Sequence, residues 1–165
     1  MNYTPIENQT WELLINSRKK NLANEACDIY LKSLLDLKLP TTYVPSHQEM
    51  NHLIQPFTDW RMVPTRELVP YIDYYQMLAN YQFPAITTIR PLQQIKYYEN
   101  KNPDVIHECF GHGPFLIHPE FSTFMHLLAK FSLTRSSQEQ ILLGRLFWYT
   151  TEFGLIETPQ DLMRK

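Results

Sequence analysis

Glycine and cysteine are scarce in this chain of 165 residues: four and two, against twelve prolines. Little glycine and much proline suggest helices and turns punctuated by rigid stops. The two cysteines, Cys27 and Cys109, lie far apart, so they do not supply the closely spaced thiols of a structural zinc site. They read as reduced thiols of a cytosolic protein. No apolar stretch approaches the length of a membrane span. Met1 to Glu7 lacks the basic start and apolar core of a signal peptide. The net charge is −2 with no basic run, so nothing points to nucleic acid. A cytoplasmic protein with no nucleic-acid or membrane partner is expected.

Present instead are 44% hydrophobic and 19% charged residues, a globular balance. The length suits one domain, residues 1–165, with a sizeable core. No internal repeat, low-complexity segment or linker stands out.

The periodicity predicts a first helix from Asn8 to about Lys20 and a second from Asn24 to Leu37, ended by Leu39-Pro40. Ser46-His47-Gln48-Glu49 has the form of a capping box, and a short helix should follow and stop before Pro56. Trp60 to Pro64 fits a short strand, Thr65 to Pro70 a loop, and Tyr71 to Asn80 a helix. Ala85 to Arg90 is rich in β-formers and ends at Pro91, which suggests an edge strand.

Asn102-Pro103 should cap and open a helix, with Gly113-Pro114 ending it. Pro119 should open a helix running to about Phe131. Ser136 should start the last, which Gly154 can close. The expected class is mainly α with a small β component.

Chemistry concentrates in Pro103-Asp104-Val105-Ile106-His107-Glu108-Cys109-Phe110-Gly111-His112-Gly113-Pro114. Glu152 follows forty residues after His112. Two imidazoles and one carboxylate, with positions left open, are the donor set of non-haem iron(II) enzymes that handle dioxygen. The spacing is not that of zinc peptidases. Residues five apart on a regular helix lie roughly 140° off a common face, against about 40° for residues four apart. His107 and His112 therefore need a loosened turn to share a metal, and Gly111 permits one. Glu152 carries the only charge between Phe147 and Ile156, and a carboxylate in such apolar company is costly unless paired or metal-bound. The competing readings are ordinary. A helical histidine is more often capped or exposed than a ligand, and Glu152 can face solvent near a helix end. Glu108 can be an acid or base, a hydrogen-bonding group, or a solvated charge.

Pro103-Asp104-x-x-His107-Glu108-x-x-Gly111-His112-x-Pro114, followed by Trp148-x-Thr150-x-Glu152-Phe153-Gly154-Leu155, resembles the aromatic amino acid hydroxylases, tetrahydrobiopterin-dependent iron monooxygenases. The likeness is greatest to the bacterial members that act on phenylalanine. It continues upstream through Tyr3-Thr4-Pro5, Trp11, Ala26-Cys27, Trp60, Leu68-Val69-Pro70, Leu78-Ala79-Asn80, Phe83-Pro84 and Ile89-Arg90, and so covers nearly the whole chain.

The resemblance implies that family's catalytic-domain fold, incomplete at its C-terminus, because the family continues well beyond Ile156. It implies hydroxylation of L-phenylalanine to tyrosine with O2, using Fe(2+) and tetrahydrobiopterin or a related tetrahydropterin. It makes His107, His112 and Glu152 the iron ligands. Arg90 would pair with the substrate's α-carboxylate, a task suited to a guanidinium fork. Phe147 and Trp148 would help build the aromatic substrate pocket. Leu68 and Val69 match the pterin-contacting loop, Tyr74 the ring that stacks on the pterin, and Glu108 a carboxylate near pterin and iron. Glu67 stands where that loop usually has glycine, which puts its backbone conformation at issue. The alternative function is a catalytically inactive remnant that binds iron or a partner without turnover. Neither reading sets the oligomeric state.

Overall fold

The computed structural model describes residues 3–92, 103–158 and 161–164. Among them run α1 (Pro5–Glu25), α2 (Asp28–Leu37), α3 (His47–Ile54), β1 (Arg61–Thr65), α4 (Tyr71–Ala79) and β2 (Gln82–Ile86). A π-helical turn (His107–His112), α5 (Gly113–Ile117), α6 (Pro119–Ser132) and α7 (Ser137–Phe147) follow. A second π-helical turn (Trp148–Glu152) and a hairpin of β3 (Leu155–Thr158) and β4 (Asp161–Arg164) complete the order. The chain is mainly helical with little β, as expected.

α1 begins earlier than its apolar spacing suggests. Thr4 accepts a hydrogen bond from the Glu7 amide while the Glu7 carboxylate accepts from the Thr4 amide, and Pro5 supplies the first turn. The helix also runs on to Glu25, and the break comes at Ala26 and Cys27, both extended. No helix-breaking residue stands there. The turn lets α2 fold back so that Tyr30, Leu34 and Leu37 enter the core beside Trp11 and Ile15 of α1. The expected capping box at Ser46–Glu49 is present, and α3 stops before Pro56.

β1 and β2 are parallel and joined through α4, from Arg61↔Gln82 to Thr65↔Ile86. The second strand therefore lies upstream of the expected Ala85–Arg90. Pairing with β1 sets its span, and past Ile86 the Thr87 amide still reaches back to the Thr65 carbonyl. Asn51 of α3 fastens the sheet by donating to the Met62 carbonyl and accepting from the Met62 amide. The core beneath holds Trp11, Ile15, Leu37, Met50, Ile54, Trp60, Met62, Leu116 and Met125, all buried.

The helix carrying the histidines starts at Val105 rather than at Pro103, and Asn102, the expected cap, lies outside the described residues. Asp104 takes the cap's place: its carboxylate accepts from the His107 amide. Gly113-Pro114 does not end the segment either. The chain continues into α5, and Pro114 changes the winding instead of stopping it. Gly113 is closely packed: a Cβ there would lie 3.1 Å from Leu37 Cδ2 and 3.3 Å from Met50 Cε. No helix among the described residues is long and apolar enough to cross a membrane.

Candidate metal centre

The loosened turn that the five-residue spacing demands is a π-helical one. From His107 to His112 the winding widens, and the Gly113 amide donates to the Glu108 carbonyl five residues back. In such a turn residues five apart stack on nearly one face. The rings of His107 and His112 accordingly meet edge to face, with centroids 4.6 Å apart and their Nε2 atoms 2.9 Å apart. A methyl group at Gly111 would meet nothing within 4 Å, so close packing does not explain that glycine.

Glu152 arrives from the other side, at the end of the second π-helical turn. Its Oε1 lies 3.2 Å from His112 Nε2 and its Oε2 3.9 Å from His107 Nε2. The donor atoms of all three residues fall within 4.8 Å of one another. His112 is buried and rests on Phe83, with ring centroids 4.8 Å apart. The His107 side chain keeps 40% of its exposure, so the cluster is open on one side.

Burial pushes both imidazoles down to about 4, and for His107 the neighbouring His112 adds to the shift while Glu152 opposes it. Both are therefore neutral near pH 7, the form that binds metal. Two neutral nitrogens and one carboxylate at this spacing fit a divalent transition metal.

Glu108 is buried beside the histidines. Burial pushes its carboxyl up to about 8, with Glu152 and Asp104 adding to the shift and a backbone hydrogen bond at Ile86 opposing it. Tyr74 of α4 is partly buried. Its hydroxyl is pushed up by burial first and then by the charges of Glu152 and Glu108, which places it in their field. Phe147 is buried at the end of α7, whereas Trp148 is 54% exposed and packs on Phe153 at 4.9 Å. Leu68 is exposed and Val69 partly buried in the loop between β1 and α4. Glu67 in that loop does not have positive φ, so the glycine-like backbone at issue is not required there.

Arg90 is engaged. Its Nε and Nη2 donate to Asp104 Oδ2 and Oδ1 at 2.5 and 3.1 Å, and its amide donates to Oδ2 at 3.2 Å. The buried Asp104 carboxylate thus ties Arg90 to the first turn of the histidine segment, and this bond raises the pKa of Arg90 further. In the sequence Asp104 stands only as part of the motif Pro103-Asp104-x-x-His107. The cap pattern Asp104-x-x-His107 was its available signal; the partnership with Arg90 had none.

The family model for biopterin-dependent aromatic amino acid hydroxylases matches residues 1–164. The chain is 38% identical over 160 residues to a phenylalanine-4-hydroxylase of Pseudomonas aeruginosa, a match spanning 97% of this chain and 60% of that relative. Its fold is similar to the apo phenylalanine hydroxylase of Colwellia psychrerythraea 34H, with a TM-score of 0.91, 30% identity, and coverage of 99% of this chain and 62% of that one. It is also similar to the Chromobacterium violaceum phenylalanine hydroxylase with bound iron(III) and 7,8-dihydrobiopterin, with a TM-score of 0.90, 33% identity, and coverage of 99% and 59%. The chain thus spans about three fifths of the length of these relatives. With a family match running almost end to end, the chain belongs to the biopterin-dependent aromatic amino acid hydroxylases.

Proposed function

We propose that the chain carries the iron- and tetrahydropterin-binding part of a monooxygenase that hydroxylates L-phenylalanine to tyrosine with O2 in the cytoplasm. In this reading residues 1–165 form a single, partial catalytic domain, and His107, His112 and Glu152 are the iron ligands. The observation that carries it is the convergence of three donor atoms within 4.8 Å from two separate π-helical turns. The bound iron and pterin of the Chromobacterium violaceum relative support the same cofactor pair here. When bound, iron(II) and the pterin supply the activation of dioxygen and two electrons.

The chain's own residues bind and orient. Three ligands on one side leave the opposite side of a metal open. Glu108, whose carboxyl burial raises in the metal-free chain, can when protonated offer a hydrogen-bond donor to the pterin, and when ionised can only accept. Tyr74 supplies the ring against which the pterin stacks, and Leu68 and Val69 the loop beside it. Arg90 holds the substrate's α-carboxylate through donors that Asp104 leaves available, and Phe147 and Trp148 line the place of its ring. Asp104 fixes the direction of that guanidinium, which reduces the orientational freedom lost on binding.

The test is tyrosine formation from phenylalanine by the purified chain with iron(II) and tetrahydropterin, beside its bound-iron stoichiometry. Product that depends on both cofactors supports the full reading. One iron per chain without product supports the inactive, iron-binding remnant. A folded chain that takes up neither refutes both. In an active chain, Arg90→Ala raises KM for phenylalanine; an unchanged KM removes Arg90 from the substrate site.

A further inference from the structure

Pro114 stands two residues beyond the end of the first π-helical turn, directly after Gly113, which opens α5. A proline has no N–H, and its ring crowds the carbonyl four residues back. That carbonyl belongs to Phe110, inside the turn. An α-helix would pair it with the amide at position 114, which here does not exist. The Gly113 amide is also diverted, since it donates to Glu108 rather than to Cys109. A buried carbonyl without a donor is costly. The structure meets this from another element: the Tyr30 hydroxyl of α2 donates to the Phe110 carbonyl at 2.5 Å, across eighty positions of sequence.

Tyr30 is built in for this. It is 5% exposed, and its ring packs edge to face on Phe110 at 6.1 Å and against Phe115 at 5.4 Å, residues that precede and follow Pro114 in sequence. α2 is held in turn by Leu34 and Leu37 in the core. The bond therefore anchors the widened turn to a fixed support rather than to its own helix.

We infer that Tyr30 is a positioning residue for the metal centre: its hydroxyl takes up the carbonyl whose α-helical donor Pro114 removes, and so holds the π-helical turn that brings His107 and His112 onto one face. This rests on the reading of those histidines as ligands. The group behind the ligands is neither a ligand nor a partner of their rings, so its effect passes through backbone winding alone.

The test compares Tyr30→Phe with Tyr75→Phe in the full chain. Tyr75 makes a matching buried bond, hydroxyl to the Gln140 carbonyl at 2.9 Å, outside both π-helical turns. Both variants lose a hydroxyl that donates to a buried carbonyl and keep the ring. Two readouts are taken: Co(II) affinity from its visible absorption, and amide hydrogen exchange of the metal-free chain. For Tyr30→Phe, Co(II) affinity falls about tenfold, the lower end of what groups behind metal ligands contribute. Exchange of the Gly113 amide also quickens more than the rest of the core. For Tyr75→Phe, affinity stays within about twofold and Gly113 exchange follows the core. Equal behaviour of the two variants in both readouts overturns the proposal. Should the unaltered chain take up no Co(II), the ligand reading fails, and selective loss of Gly113 protection alone decides what Tyr30 holds.

Discussion

The two π-helical turns do the same geometric task with unequal support. The first, His107–His112, is walled in: Glu108, Cys109, Phe110 and His112 are all buried, Asp104 caps its entry, Pro114 shapes its exit and α2 reaches across to it. The second, Trp148–Glu152, buries only Thr151. Trp148, Tyr149 and Phe153 around it are exposed, and Thr150 steadies the turn locally by donating to the Leu146 carbonyl at 2.7 Å. Two of the proposed ligands thus stand on a turn set by the core before any metal arrives, whereas the third stands on a turn braced mainly by its own chain. Preorganisation lowers the cost of binding where it is present, and the metal must supply the order where it is not.

The sharpest way to break this comparison is to remove ligands. His107→Ala, His112→Ala and Glu152→Ala should each abolish stoichiometric iron binding, read by metal analysis after gel filtration. Full affinity in all three variants would sink the assignment. The asymmetry itself is read by metal removal and hydrogen exchange. At a hundredfold excess of free metal over Kd, binding adds about 2.7 kcal/mol against openings that destroy the site. Amides of 148–153 should gain most of their protection from metal, while those of 107–113 are already protected without it. Equal gains in both turns would erase the distinction.

Pro114→Ala returns an N–H to the exit of the first turn. The segment should tighten toward ordinary α winding, with metal affinity falling on the order of tenfold. In that background Tyr30→Phe should cost less than it does alone, because the Phe110 carbonyl then has a second donor. Independent effects of the two changes would mean that Pro114 is not what widens the turn.

A pH series probes the first turn through its own buried groups, which titrate in opposite directions. Glu108 is raised from 4.5 to about 8, so the folded metal-free chain holds a proton that the unfolded chain gives up. Its contribution is fully present below 4.5 and is lost as pH rises toward 8, at about 3 kcal/mol by pH 7. The histidines run the other way: lowered to about 4, they take stability away as pH falls below 6.5. Glu108→Gln should remove the loss between pH 6.5 and 8 in chemical unfolding and steepen the fall below 6.5, where Glu108 offsets part of the histidine effect. An unaltered alkaline limb would show that Glu108 ionises normally.

The smallest expected effects concern the glycines. Gly111→Ala meets open space and should be neutral or stabilising by up to about 1 kcal/mol, because alanine favours helix. Gly113→Ala presses on Leu37 and Met50 and should destabilise by about 1 kcal/mol. Thermal melts of both variants check the order; the reverse order would return Gly111 to the role of hinge.

Much of the centre was legible along the chain. The donor types at 107, 112 and 152 pointed to iron chemistry, and the five-residue spacing already demanded an irregular turn. The helix starts at Ser46 and Ser136 followed from capping chemistry confined to four residues. Errors came where distant partners decide. Ala85–Arg90 has the composition of a strand, yet hydrogen bonding to β1 moved the strand to Gln82–Ile86. Pro114 looked like a stop, because its missing N–H ends a helix that has no other donor to offer.

The motif pattern carried the proposed ligands through the family resemblance, and residue type with short-range spacing carried the main helices and their caps, which depend on interactions within a turn or two. Which winding the histidine segment adopts, where α1 gives way to α2, and how Arg90 is held depended on contacts far apart in sequence. Tyr30 lies eighty positions from Phe110, and Arg90 meets Asp104 across a segment of its own. Such bonds form only once the core has brought their elements together, and no local pattern encodes the distance between them.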